Sequence, residues 1–222
     1  MVQKSKLFVV NLKKTVAEDF MWLKTLKELS ERKKVPRKVT PKSLENAALY
    51  YLQRFSSSSE NLRRVLMRRV QRSAHHHGTD PEEGTEIIAA LIKRYNEVGL
   101  LDDAQFARAR AESLNRRGSS ARAIRAKLSE KGVAADLISE TLKKLTDEDQ
   151  NPEFTAAVTF ARKRRIGPFR ADDNRAELRE KDLAALARAG FNDDMAQKVI
   201  EVETTEELED EIEQNIKGQD SL

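Results

Sequence analysis

Leu128-Ser129-Glu130-Lys131-Gly132-Val133 returns 58 residues later as Leu186-Ala187-Arg188-Ala189-Gly190-Phe191. Carried forward, the same offset places Asp136 on Asp194, Leu137 on Met195 and Leu142 on Ile200. Each copy reads as the end of a helix, a glycine cap, an apolar residue, a turn and a second helix, because Gly enters the left-handed conformation at a helix end without strain. An offset of 62 lays Ser58, Leu62 and Leu66 on Ser120, Ile124 and Leu128, and an offset of 48 lays Phe106 on Phe154. Self-similarity of this kind marks stacked supersecondary units, each too small to bury its apolar face well alone. The spacing predicts three tandem three-helix modules, over 41–101, 102–149 and 150–202, forming an elongated, curved array in which neighbours touch only neighbours.

Composition points the same way. Eight Gly and five Pro in 222 residues, beside abundant Ala, Leu, Arg, Glu and Lys, favour helix and leave little room for sheet. Ile87, Ile88, Leu91, Ile92 and Tyr95 follow one helical face, as do Phe154, Ala157, Val158 and Ala161. Ser57 with Glu60 and Asp102 with Gln105 read as capping pairs, and Gly99, Gly132 and Gly190 stand where helices should stop. The expectation is an all-α protein of nine helices.

Several function classes are excluded or disfavoured. Without Cys there is no disulfide framework, thiolate zinc site or cysteine nucleophile. The three histidines sit together at His75, His76 and His77, so no dispersed Ser/His/Asp site can be assembled elsewhere. The longest apolar run, from Ile87 to Ile92, falls far short of the roughly 20 residues of a membrane helix, and residues 7–10 are too few for the apolar part of a secretory signal. A cytoplasmic monomer that binds rather than catalyses, with no cofactor and no metal, is expected.

The net charge of +4 hides a gradient. Residues 1–77 hold 18 basic and 6 acidic side chains, 78–200 hold 22 of each, and 201–222 hold 9 acidic and 1 basic. The chain therefore divides into a basic N-terminal arm (1–40), a body, and an acidic tail (203–222). The arm places Val16, Phe20 and Leu23 at helical spacing near Trp22, followed by the charges of Arg32, Lys33, Lys34, Arg37 and Lys38. The tail is expected to fold back on basic surface and compete there with DNA.

The densest basic face lies in the second helix of the first module. Arg64, Arg68 and Arg72 repeat at i, i+4, i+8 opposite Leu62, Val65 and Leu66, with Arg63 and Arg69 beside them. Such a stripe suits phosphates or an acidic protein surface, since guanidinium pairs bidentately with both. Arg122, Arg125 and Lys127 hold the matching place in the second module. Arg162, Lys163, Arg164 and Arg165 end a helix, where cations complement the macrodipole. Asp102 reads as an N-cap with Asp103 in the first turn, a structural role for the pair. The histidine tract reads as a solvated cluster in a long polar loop over 73–84, and Ser56 to Ser59 as a turn and cap.

Three strings carry a family resemblance: Gly99-Leu-Leu-Asp-Asp-Ala-Gln-Phe-Ala107 followed by an Arg-rich helix, then Lys127-Leu-Ser-Glu-Lys-Gly-Val133, then Arg188-Ala-Gly-Phe191. Together they resemble the RecX family of regulators of the RecA recombinase. Leu101, Asp102, Asp103, Phe106 and Ala107 match the family's start to its second module, Gly132 the turn of that module, and Gly190 with Phe191 the Gly-Phe turn of the third. Tyr51, Leu52, Gln53 and Arg54 match its Tyr-Leu-x-Arg run. The resemblance covers 41–202, while the long loop, an insertion over 167–174, the arm and the tail depart from it. It implies a non-enzymatic protein that binds RecA and its nucleoprotein filament and inhibits filament growth, ATP hydrolysis and strand exchange, either by lying along the filament groove or by capping the filament end. The basic helices above would then contact RecA or DNA, single- or double-stranded. The competing class is a helix-turn-helix DNA-binding regulator that acts without RecA; a passive scaffold is a third.

Overall fold

The structure, a computed structural model, describes residues 35–148, 151–170 and 174–217. Ten α-helices and no strand occur among them. The first three are α1 (Pro41–Leu52), α2 (Ser59–His77) and α3 (Pro81–Glu97). Then come α4 (Asp103–Asn115), α5 (Ala121–Glu130) and α6 (Ala135–Glu148). The last group is α7 (Pro152–Arg164), a 3-10 turn (Gly167–Phe169), α8 (Arg175–Ala189), α9 (Asp193–Glu201) and α10 (Thr205–Lys217).

Polar caps set where these helices begin. Thr40 and Ser43 cap each other reciprocally ahead of α1, Asp102 accepts the Gln105 amide at 2.9 Å ahead of α4, and Asn192 accepts the Met195 amide at 2.8 Å ahead of α9. Each oxygen satisfies a donor that the first turn leaves without an intrahelical partner. The cap of α2 is Ser58, one residue beyond the expected Ser57.

Three apolar clusters form, one inside each triad of helices. Leu44, Leu62, Leu66, Val70, Ile88 and Leu101 lie in the first, Ala107, Leu114, Ile124, Leu128 and Ile138 in the second, and Phe154, Val158, Leu186, Phe191 and Val199 in the third. The low aromatic content leaves these interiors mostly aliphatic. The first helix of each triad supplies buried small residues, Ala47 and Ala48, Ala107 and Ala111, and Ala156 and Ala157, that let backbones approach closely.

Three features differ from expectation. The histidine tract is the last turn of α2 and not part of a loop. Gly78, at φ 63, ends that helix, while Asp80 and Pro81 start the next, so only three residues connect the two. The acidic tail contributes a tenth helix, because Leu208 and Ile212 repeat at i, i+4 among its carboxylates, and Leu208 is wholly buried in the third cluster. In the insertion, Asp182 accepts the Gly167 amide at 3.0 Å and pairs with Arg170 at 2.6 Å, closing the 3-10 turn onto α8. The helical spacing noted for Val16, Phe20 and Leu23 lies outside the described residues.

Candidate binding surfaces and the junctions between triads

The basic residues fall into sets with different neighbours. Arg63 grips Glu60 with two nitrogens at 2.6 and 2.8 Å, and Arg64 reaches the same carboxylate at 2.8 Å. The Arg63 guanidinium and then Arg64 hold the Glu60 carboxyl down, from the ordinary 4.5 to about 2. Arg64 also donates to the Glu130 carbonyl, at the end of α5, at 2.8 Å. The expected stripe of Arg64, Arg68 and Arg72 is exposed throughout, but its first member also joins two triads. Arg69 is exposed as well, and lines a groove with Arg72.

The second set is exposed but tethered. Arg125 donates to Ser139 at 3.1 Å and Lys127 to Ser119 at 3.3 Å, while Arg122 packs its stem against the turn at Gly190. In the third set Lys163 donates to the Arg117 carbonyl at 3.0 Å, and Arg162 pairs with Glu209 of α10 at 2.7 Å. Arg164 lies over Phe160, and Arg165 takes the left-handed conformation that ends α7. Lys198 of α9 pairs with Glu211. The tail thus does lie on basic surface.

The signature residues hold the triads together. Leu101 drops into the first cluster, Phe106 packs against the second and Ala107 is buried in it. Asp103 leaves its own helix and accepts the Ser59 amide at 2.7 Å, while Ser58 donates to the Lys131 carbonyl. The same arrangement recurs one triad later: Glu153 accepts the Ala121 amide at 2.8 Å, and Ser120 donates to the Ala189 carbonyl at 2.7 Å. In both places the middle helix of one triad starts on the glycine turn that ends the middle helix of the next. Gly132 and Gly190 have φ of 75° and 96°. A Cβ on Gly132 would stand 2.2 Å from Glu60 Cγ, and one on Gly190 would stand 2.7 Å from Ser120 Oγ. Both the backbone conformation and the close approach require glycine.

Sequence reasoning assigned Asp103 to its own helix and did not find its partner across the junction. The offset of 62 pairs the junction serines Ser58 and Ser120, but the carboxylates of Asp103 and Glu153 accept backbone amides, which spacing does not mark. Among the described residues no group of three or more His, Asp or Glu is arranged to hold a metal ion, and no helix is long and apolar enough to cross a membrane.

Fold and junctions together define a tandem array of three-helix units whose middle helices are joined end to end. The model of the second three-helix domain of RecX matches residues 102–142. A regulatory protein RecX of Myxococcus xanthus is 46% identical over 169 residues, covering 76% of this chain and 89% of that protein. One from Agrobacterium fabrum is 33% identical over 173 residues, covering 74% and 85%. The crystal structure of RecX from Lactobacillus salivarius superposes with a TM-score of 0.52 at 21% identity, over 72% of this chain and 94% of that one, a likeness of fold. The chain belongs to the RecX family of regulatory proteins.

Proposed function

We propose that this chain regulates the RecA recombinase by binding RecA and its nucleoprotein filament on single-stranded DNA. Its main effect is to inhibit filament growth, ATP hydrolysis and strand exchange during recombination and the SOS response. The observation that supports this reading is the 46% identity to a regulatory protein RecX across 89% of that relative. Capped junctions repeated along a row of helical units suit the task, since several contacts with a repeating polymer add through effective concentration. The exposed cations Arg68, Arg69, Arg72, Arg122 and Arg125 are the candidate contacts, with Lys127 and the α7 end beside them. In this reading the protein is a cytoplasmic monomer that binds without catalysing and needs no cofactor.

The test is RecA-driven ATP hydrolysis and filament extension on single-stranded DNA, with the protein added at micromolar concentration. Both should slow with dose, and unchanged rates would overturn the proposal. Sequence-specific duplex binding without RecA, seen by gel shift, would favour the helix-turn-helix reading instead.

A further inference from the structure

The stretch 36–39, α1 and α2 enclose a groove of about 450 Å³ on the first triad. Arg37 and Lys38 line it from one side and Arg69 and Arg72 from α2, while none of the residues lining it is acidic. Among the described residues no carboxylate pairs with any of these four cations, in contrast to Arg63 and Arg64 on the same helix. The strap that carries Arg37 and Lys38 is fixed at both ends: the Val39 amide donates to Ser73 at 3.0 Å, and the His77 ring lies 2.5 Å from the Pro36 carbonyl. Tyr50 stands at the groove with 52% of its surface exposed. The Arg54 guanidinium lies 4.0 Å from its ring centre, orienting an aromatic plane beside the four charges.

We propose that this groove is a binding site for single-stranded nucleic acid, its cations following the phosphates and Tyr50 stacking on one unpaired base. Clustered positive charge beside an oriented, accessible ring is what a strand needs, because every base offers a π-face and every link a phosphate. In a duplex the base faces are covered by their neighbours, so Tyr50 has nothing to stack on. An acidic peptide would meet the charges but leave the ring without a partner. The inference shares Arg69 and Arg72 with the RecA reading and goes beyond it in assigning the groove and Tyr50 to a strand bound without RecA.

The experiment is fluorescence anisotropy of a labelled single-stranded oligonucleotide with the full chain and no RecA. A duplex of the same sequence and a polyglutamate peptide serve as competitors. Four cations predict a log–log salt slope of about −3, and Arg69→Gln with Arg72→Gln should bring it to about half. Tyr50→Ala should weaken binding about tenfold while Tyr50→Phe stays near the original value, with Lys93→Gln, on an exposed face of α3, as the neutral control. Because substitution can disturb α1, the unaltered chain is also photo-crosslinked to a 5-bromouracil-substituted strand, and the peptide carrying Tyr50 is the expected adduct. The proposal fails if the strand does not bind or if Tyr50→Ala binds as well as the original. It fails equally if adducts form only elsewhere, or if polyglutamate or duplex displaces the strand at equal charge. Tyr50→Ala removes none of the cations named for RecA, so it should weaken strand binding while RecA inhibition persists, which separates the two readings.

Discussion

The carboxylate of Asp103 accepts the backbone amide of Ser59 at 2.7 Å, so a residue in the first turn of α4 caps the start of a helix 44 positions earlier in the chain. Capping carboxylates contribute about 1 kcal/mol each, and this one acts between triads. Asp103→Ala should lower stability by about that amount in thermal melts followed by circular dichroism. Asp103→Asn, which keeps an oxygen acceptor, should recover most of it.

A larger loss is expected at the glycine turns. Gly132→Ala imposes a side chain on a backbone at φ 75° and drives it into Glu60. The strain and the clash together should cost about 2 kcal/mol or more. Gly99→Ala is the control: at φ 70° it shares the strain, but no described residue comes within 4 Å of the added Cβ. If the two substitutions lower the melting temperature equally, the close approach at Gly132 contributes nothing.

The two junctions should respond to pH with opposite signs. Glu60 is held at about 2 by Arg63 and Arg64, below its ordinary 4.5. Its contribution is complete above pH 4.5 and is lost as pH falls toward 2. Burial pushes the Glu153 carboxyl above 4.5, and the Ala121 amide only partly offsets the shift. Its folded state therefore favours the proton, and that contribution is complete below pH 4.5 and lost as pH rises through the raised value. Melting curves of Glu60→Gln should show a flatter acid limb and a cost of about 1 kcal/mol at neutral pH. Glu153→Gln, which retains an acceptor for Ala121, should be neutral or stabilising at pH 7; a loss there above about 1 kcal/mol contradicts the assignment.

The tail helix separates into an apolar and an electrostatic part. Leu208→Ala should cost about 2–5 kcal/mol, because a wholly buried leucine leaves a cavity in the third cluster. Glu209→Gln with Glu211→Gln removes the partners of Arg162 and Lys198 on an exposed surface. It should change stability by less than about 1 kcal/mol yet delay elution from a heparin column to higher salt. Elution at the original salt would show that the tail does not shield this surface from polyanions.

Much of the fold was legible because glycine turns and aliphatic periodicity are local signals. Gly132 and Gly190 each end a helix where the repeat puts them, and Phe106 and Phe154 occupy matching places. The tail was misjudged because net charge masked two apolar residues, Leu208 and Ile212, whose partners lie on helices far away in the chain. The polar histidine tract resembles a loop in sequence, although Gly78 and Pro81 mark the two helix ends beside it. For the basic surface, spacing alone set Arg64 beside Arg68 and Arg72. Glu60 lies one turn before Arg64 on the same helix, but only the fold brings the Glu130 carbonyl to Arg64, and only the fold brings the strap of Arg37 and Lys38 to Arg69 and Arg72.

The serine-to-glycine junction has a direction. A triad offers its neighbour a helix start on one side and a helix finish on the other, two surfaces that differ, so the contact is heterologous and does not close on itself. Among the described residues nothing lies within 4 Å of a Cβ placed on Gly78, at the finish of α2, where Gly132 and Gly190 meet a neighbour. Lengthening such a chain takes duplication of a unit that already carries both halves of the joint, and its reach along a partner is then a matter of copy number.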